Sequence, residues 1–225
     1  MTKAIITIKG GTGSGHYDHA GLAGMHGGSL PSGGSSAKKP SKKKPSAKKP
    51  FINKNMHNAM IDFYYDDMQG EKNEVGYILD SNGNKVSDKI TSGDPRRIAF
   101  TGKQEAAAKG NVLIHNHPLG GGLSEGDIKF GAMTGAKAII ALDTRGVHIM
   151  NFLEEVDMIE YMDVAFYVNK VSTDIRKELT AKIESARMLS YDANLIHNDM
   201  LWERVESKFP NYFEYTFMTG KELLK

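Results

Sequence analysis

Hydrophobic positions divide the chain into a polar opening and a patterned remainder. Beyond the opening AIITI, residues 1–50 contain few large apolar side chains, so they cannot bury enough surface to offset the entropy of ordering. In residues 53–68, apolar side chains recur at helical spacing. They are Met56, Met60, Phe63 and Tyr64. The pattern predicts a disordered arm over residues 1–50 and an ordered region that begins near Phe51 with a helix.

Short apolar runs after Gly70 predict β-strands. They are EVGYILD, RRIAF, VLIHNH, AKAIIALD and GVHIMNF. The turn at 81–84 leads from the first run into KVSDKI, and the turn at 144–146 joins the last two runs, so each turn predicts a hairpin. Between the third and fourth runs, SEGDIKFGAMTG predicts a short helix that begins at Ser124.

From Glu154 onward the pattern becomes helical, in two long segments. Within this region Trp202, Phe209, Tyr212 and Phe213 are expected to form the core of a helical cap. Strands followed by helices in this order predict an α+β sandwich and not a doubly wound parallel sheet. We therefore expect an arm over 1–50, a domain over 51–153 and a helical C-terminal extension over 154–225.

Charge is distributed unevenly between the two ends of the chain. Residues 1–50 hold nine Lys and one Asp, a net charge of +8, so the whole-chain value of +2 leaves −6 for residues 51–225. Most of this positive charge lies in a Lys/Pro/Ser tract, at Lys38, Lys39, Lys42, Lys43, Lys44, Lys48 and Lys49. Proline prevents helix formation there and lysine repulsion keeps the tract extended. The tract is either a solvated linker or a non-specific nucleic-acid contact that acts through counterion release.

The chain contains no cysteine. Disulfides and thiolate metal sites are therefore excluded, so any metal must be held by histidine or oxygen ligands. The sequence also has no run of about 18 apolar residues and no signal-peptide pattern. We expect a protein that is not secreted and has no membrane partner.

A candidate metal site lies in the segment HNHPLGGGLSEGD. Side chains at i and i+2 of a strand point to the same face, so His115 and His117 can converge on one ion while Asn116 faces away. Asp127 follows Ser124 by three residues at the predicted helix start. Two imidazole nitrogens and one carboxylate oxygen fill three positions of a tetrahedral zinc ion and leave the fourth open for water, as in catalytic sites.

This donor set predicts hydrolytic chemistry. Zinc lowers the pKa of water towards neutrality and polarises a carbonyl group. A nearby carboxylate must then take the proton and pass it to the leaving amine. The hydroxyl of Ser124 is a candidate for stabilising the developing oxyanion, with plain helix capping as the alternative.

The same residues resemble the signature of the JAMM/MPN metallopeptidases, in which a Glu precedes His-x-His-Pro, a glycine-rich spacer and Ser-x-x-Asp. The HNHP form is similar to that of the bacterial RadC proteins and of the JAB-like domains of tailed phages and prophages. The spacer of six residues, 118–123, is one shorter than the commonest in the family. The resemblance implies an MPN-like sandwich of a mixed β-sheet with flanking helices. It implies zinc ligands at His115, His117 and Asp127 and a hydroxyl role for Ser124.

The family's glutamate lies on an early strand. Glu74, which opens EVGYILD, fits that place best, and the resemblance therefore implies that it is the general base. Glu71 and Glu105 are weaker candidates, and an exposed carboxylate at a strand edge is the alternative role for Glu74. Three other histidines are expected to be surface or packing residues. They are His57, His148 and His197.

A second resemblance concerns the glycine- and histidine-rich stretch GHYDHAGLAGMHGGSLP, which is similar to segments of phage head and portal-associated proteins. It suggests a phage or prophage origin, and hence the host cytoplasm or the virion. The leading hypothesis is a zinc-dependent hydrolase of peptide or isopeptide bonds in an unidentified protein or peptide. One alternative is a non-catalytic virion or head-assembly protein that binds other phage structural proteins, with a nucleic-acid-contacting arm. Another is a nucleic-acid-processing metalloprotein.

Overall fold

A computed structural model describes residues 7–9, 52–153, 158–185 and 187–225 of the chain. These residues belong to one compact unit. Of the arm expected over residues 1–50, only Thr7–Lys9 lie within the described part, where they form a strand. The glycine- and histidine-rich stretch and the lysine tract lie outside it. None of the described helices is both long enough and apolar enough to cross a membrane.

The described residues include eight strands. They are β1 (Thr7–Lys9), β2 (Val75–Leu79), β3 (Ile90–Thr91), β4 (Arg97–Ala99), β5 (Val112–Asn116), β6 (Ala138–Leu142), β7 (Gly146–Phe152) and β8 (Phe213–Thr219). Six of them form one sheet in the order β3-β2-β5-β6-β7-β8, and β1 pairs with β4. Within the six-stranded sheet β5 and β6 are parallel, and the other neighbours are antiparallel. The prediction of an α+β fold is confirmed, with a mixed sheet.

Helices cover both faces of this sheet. They are α1 (Lys54–Asp62), which continues as a π-helix (Phe63–Met68), α2 (Gly102–Ala108), α3 (Glu125–Thr134), α4 (Met158–Glu184), α5 (Ser190–Lys208) and α6 (Gly220–Leu223). Apolar side chains of α1 and α6 pack on one face, and those of α2 to α5 pack on the other. Because both faces are covered, all residues of β2, β5 and β6 are buried, which explains their nearly continuous apolar sequence.

The parallel strands β5 and β6 determine where the polar site forms. Both strands end at the same edge of the sheet, and the backbone N–H of His117 donates to the carbonyl oxygen of Leu142 at 2.7 Å. The loops that follow the two strands therefore lie side by side. Crevices at the carboxyl ends of parallel strands are common sites for ligands in α/β sheets.

The C-terminal region differs from the predicted helical extension. Helices α4 and α5 are present, although residues 154–157 lie outside the described part. The segment Phe213–Thr219 forms β8 and pairs along all of β7 in antiparallel register. Phe213, expected in a helical cap, is a buried strand residue, whereas Trp202 is part of the core as predicted. The C-terminal region therefore completes the main sheet.

Two local features also differ from the sequence-based prediction. The turn at 81–84 is present, since the backbone N–H of Asp80 bonds to the carbonyl of Asn84, but only Ile90–Thr91 continues as the strand β3. Helix α2 was not predicted. It begins with a capping box in which Thr101 and Gln104 bond reciprocally, a signal that the sequence TGKQ contains.

Candidate metal centre

His115 and His117 point to the same side of the chain at the end of β5. Their Nε2 atoms lie 2.9 Å apart, and both side chains are buried. Gly76 of β2 is paired with His115, and a Cβ atom at position 76 would lie 2.9 Å from the His115 Cβ. The missing side chain at Gly76 therefore leaves the space in which the first histidine packs.

Asp127 completes the group from the first turn of α3. Its Oδ1 lies 3.2 Å from Nε2 of His115, and its Oδ2 lies 3.5 Å from Nε2 of His117. Ser124 is the N-cap of α3, and its backbone N–H and hydroxyl both donate to Oδ2, at 2.6 and 2.8 Å. In return the Ser124 hydroxyl oxygen accepts from the Asp127 backbone N–H. The capping box thus orients the carboxylate towards the histidines.

Among the described residues, His115, His117 and Asp127 form a group that could hold a metal ion, with ligand atoms all within 4.8 Å of one another. Tetrahedral zinc with bonds of about 2.0–2.1 Å places its ligand atoms roughly 3.3 Å apart. Nε2 of His115 lies 2.9 Å from Nε2 of His117 and 3.2 Å from Oδ1 of Asp127, and both separations are close to that value. The donor set and its spacing therefore fit a small divalent cation.

The protonation states of two of these side chains also fit a cation. Burial lowers the pKa of His117 to about 4, so its ring is neutral at neutral pH. Burial opposes ionisation of Asp127, but the His115 and His117 rings and the Ser124 backbone N–H outweigh it and lower the pKa of this carboxyl to about 2. A neutral imidazole and an ionised carboxylate are the forms that bind metals.

Glu74 lies immediately before β2, beside this group. Its Oε1 is 4.0 Å from Nε2 of His117, and its Oε2 has no hydrogen-bond partner among the described residues. Burial, together with the carboxylates of Asp127 and Asp94, raises the pKa of Glu74 to about 9. Glu74 is therefore a buried carboxyl group at the centre and not an exposed residue at a strand edge.

The two weaker glutamate candidates lie elsewhere. Glu71 accepts hydrogen bonds from the backbone N–H groups of Lys72 and Asn73, and its Oε2 lies 3.6 Å from Nζ of Lys89. Glu105 is on α2. Of the three glutamates considered from the sequence, Glu74 is the one whose carboxyl group lies within 4.0 Å of a histidine of the pair.

A loop of three glycines connects the histidines to Asp127. Gly120, Gly121 and Gly122 have φ angles of 74°, 113° and 65°, in the region that side chains with a Cβ rarely adopt. A Cβ atom on Gly122 would also lie 3.0 Å from Nδ1 of His148. The loop can therefore fold tightly enough to bring both parts of the site together.

A largely buried network of ionic groups, which was not predicted from the sequence, lies behind this loop. His148 of β7 lies 3.3 Å from Asp143 Oδ2 and 3.2 Å from Asp199 Oδ1, and its side chain is fully buried. Arg145 contacts both carboxylates, at 3.0 and 2.6 Å. Tyr215 of β8 donates from its hydroxyl to Asp199. The network joins the β6–β7 turn to β7, α5 and β8.

Charges within this network shift the pKa values of its members. Burial opposes protonation of His148, but Asp143 and Asp199 outweigh it and raise the pKa of the imidazole. Burial also opposes ionisation of Asp143, yet His148 and Arg145 hold the pKa of that carboxyl well below its usual range. The network is therefore a compensated cluster of opposite charges. The two ring nitrogens of His148 face different carboxylates, so the network lacks the convergent ligand atoms of a metal site.

No protein-family model, curated protein or solved structure matches this chain. The resemblance to the JAMM/MPN signature therefore depends on the motif residues themselves. What the fold adds is their placement, because residues from β5, α3 and the segment before β2 meet at one buried point.

Proposed function

We propose that this protein is a zinc-dependent hydrolase of peptide or isopeptide bonds. The observation that carries the proposal is the buried group of His115, His117 and Asp127 with the Glu74 carboxyl beside it. Two nitrogen donors and one oxygen donor are the ligand set of many catalytic zinc sites, in which one position stays open. The order of glutamate, HNHP and Ser-x-x-Asp along the chain supports an MPN-type fold and a phage or prophage origin.

Each side chain has a defined task in this proposal. His115, His117 and Asp127 would hold the ion, which when bound supplies Lewis acidity to water and to a carbonyl group. Glu74 would take a proton from the attacking water at Oε2 and deliver it to the leaving amine. Its carboxyl ionises more readily beside a cation than it does beside Asp127 alone.

The contacts of Ser124 favour a role in orienting Asp127. Its hydroxyl donates to Asp127 Oδ2 at 2.8 Å, and donating to a developing oxyanion would require it to break that bond. A hydrogen bond to the free oxygen of a ligating carboxylate fixes the direction of the ligand. We therefore assign Ser124 to the support of the metal ligand.

The first test is metal content. Purified protein should contain about one zinc ion per chain by elemental mass spectrometry, as a single three-ligand site requires, and His115→Ala should lose it. The matched control is Glu71→Gln, which changes a glutamate of the neighbouring segment outside the centre. A metal-free wild-type preparation that fails to take up zinc would contradict the proposal.

The second test is hydrolysis. Glu74→Gln keeps the shape of the side chain but removes its basic oxygen, so cleavage of a fluorogenic panel of peptides and Lys-linked isopeptides should fall by about 10²–10⁴-fold. Zinc content should stay near that of the wild type. Glu71→Gln should cleave the panel at the wild-type rate.

One observation favours a second candidate, a non-catalytic virion or head-assembly protein whose metal site is structural. His115, His117, Asp127 and Glu74 are each at most 2% exposed. Such burial suits a site that stabilises a scaffold, whose basic arm would contact nucleic acid. For this candidate, zinc removal lowers the melting temperature, while the wild type and Glu74→Gln are equally inactive on every panel substrate.

A further inference from the structure

The glycine loop of the metal centre is held from outside by the C-terminal helices. The carbonyl oxygen of Gly121 accepts a hydrogen bond from Nδ2 of Asn198 on α5. On the other side, the backbone N–H of Gly121 donates to Oδ2 of Asp143 at 3.3 Å. Both polar groups of this residue are therefore bonded to side chains from other elements.

The orientation of Asn198 is itself fixed by a chain of hydrogen bonds that begins on α4. Nδ1 of His197 lies 3.0 Å from Oδ1 of Asn198, and Nε2 of His197 lies 3.3 Å from the hydroxyl of Ser172. One arrangement satisfies all three contacts: Ser172 donates to His197, His197 donates to Asn198, and Asn198 donates to Gly121. The amide is thereby set with its NH₂ group towards the loop.

A second contact from α5 holds the end of the same loop. Nε1 of Trp202 donates to the carbonyl oxygen of Leu123 at 2.7 Å, and the indole ring is fully buried. Leu123 immediately precedes Ser124, which orients Asp127. The two contacts from α5 thus bracket the backbone that connects the histidines to the carboxylate.

We propose that Asn198 is a positioning residue of the metal centre, through which the α4–α5 hairpin sets the affinity for the ion. The inference rests on the proposed metal-binding function. The glycines have no side chains of their own to anchor the loop, so its conformation depends on the groups that bond to its backbone. Without Asn198, the distance between the histidine pair and Asp127 would be less well defined, and the ligand set would be less preorganised.

The sharpest variant is Asn198→Asp, which keeps the shape of the side chain but turns a donor into an acceptor that faces the Gly121 carbonyl. Zinc affinity, measured by competition with a chromophoric chelator, should fall by about 10–100-fold, as it does when the supports of metal ligands are removed. The visible absorption of the Co²⁺-loaded protein should also change, because its intensity reports ligand geometry. Ser207→Ala, an exposed change on the same helix, is the control and should match the wild type in both measurements.

A second variant separates positioning from general instability. Asn198→Ala removes the donor without adding a charge, and the same direction of change in zinc affinity and Co²⁺ absorption is expected in protein that remains folded in chelator. Affinity and spectrum equal to those of the wild type in either folded variant would overturn the inference while leaving the proposed function intact. Wild-type protein that binds neither ion would instead overturn the proposed function, and this inference with it.

Discussion

Asn116 holds the polypeptide on both sides of Glu74. Its Oδ1 accepts from the backbone N–H of Val75 at 2.7 Å, and its Nδ2 donates to the carbonyl oxygen of Asn73 at 3.2 Å. Because Asn116 lies between the two histidines on β5, its amide ties the segment that carries the carboxylate to the strand that carries the ligands. Asn116, which is not one of the candidate metal ligands, therefore fixes the backbone on either side of Glu74.

Replacing Asn116 with alanine should impair hydrolysis more than zinc binding. A displacement of about 1 Å at a reacting group costs roughly 10²-fold in rate, whereas His115 and His117 remain in place. The measurement is kcat together with zinc content on the same preparation. Asn82→Ala, in an exposed turn, is the control. Loss of zinc with unchanged activity per bound ion would show that Asn116 supports the ligands instead.

Replacing Ser124 with alanine should weaken both helix α3 and the metal centre. Loss of an N-cap costs about 1 kcal/mol in the free energy of unfolding, and Asp127 also loses the hydroxyl that orients it. The control is Thr101→Ala, which removes the cap of α2 in an equivalent capping box. Chemical denaturation should detect a similar loss in both variants, but chelator competition should detect weaker zinc binding only in Ser124→Ala. Equal zinc affinity in the two would contradict the orienting role.

Replacing Gly122 with alanine should destabilise the protein more than the same change at Gly70. Both glycines have positive φ, so each substitution costs about 1 kcal/mol from backbone conformation alone. At Gly122 the new Cβ also meets His148 Nδ1 at 3.0 Å, whereas at Gly70 nothing lies within 4 Å. Free energies of unfolding in chelator measure the difference. Equal losses of unfolding free energy at the two positions would mean that the loop can move away from His148 at no cost.

The stabilisation from His148 should depend on pH. Because its pKa is raised in the folded state, the protonated ring stabilises the fold fully below the unfolded pKa of about 6.5, and this contribution is lost as pH rises through the folded pKa. The pKa of Asp143 and that of Asp199 are lowered, so their contributions are present above about 3.8 and are lost as pH falls. The network should therefore stabilise the protein most between these limits.

This dependence can be measured on His148→Gln. The difference in free energy of unfolding between wild type and variant, in chelator, should be largest near pH 5–6 and should shrink as the pH is raised. The control His57→Gln removes an imidazole that contacts the carbonyl oxygen of Leu223 and no carboxylate of the network. A difference for His148→Gln that stays constant from pH 5 to 9 would rule out the charged ring.

The sequence predicted the elements whose signals are local. The alternation of VLIHNH places His115 and His117 on one side of β5, and the Ser-x-x-Asp spacing marks the first turn of α3. Both depend on neighbours within about four positions, where backbone geometry leaves few choices. For the same reason the strands β2, β5, β6 and β7 could be found from their apolar runs.

The parts that could not be predicted depend on distant partners. Asp143 ended a predicted strand and Arg145 was a predicted turn residue. Their role appears only when Asp199, 54 positions after Arg145, pairs with Arg145 in the folded protein. Strand β8 had a usable signal, since Phe213, Tyr215 and Phe217 alternate after Pro210. Because these three residues follow two long helical segments in the sequence, a helical interpretation was favoured. In the folded protein, pairing with β7 stabilises this segment as a strand.

The bonds from α5 and β8 have a consequence for biosynthesis. Asn198 follows Gly121 by 77 positions, and Tyr215 follows its partner His148 by 67. As the chain leaves the ribosome, all three candidate ligands emerge well before the groups that brace the loop between them. A nascent or truncated polypeptide would thus contain all three candidate ligands without the contacts that fix their relative positions. Contacts between such distant positions form late in folding, so under the proposed function tight metal binding should follow translation of β8.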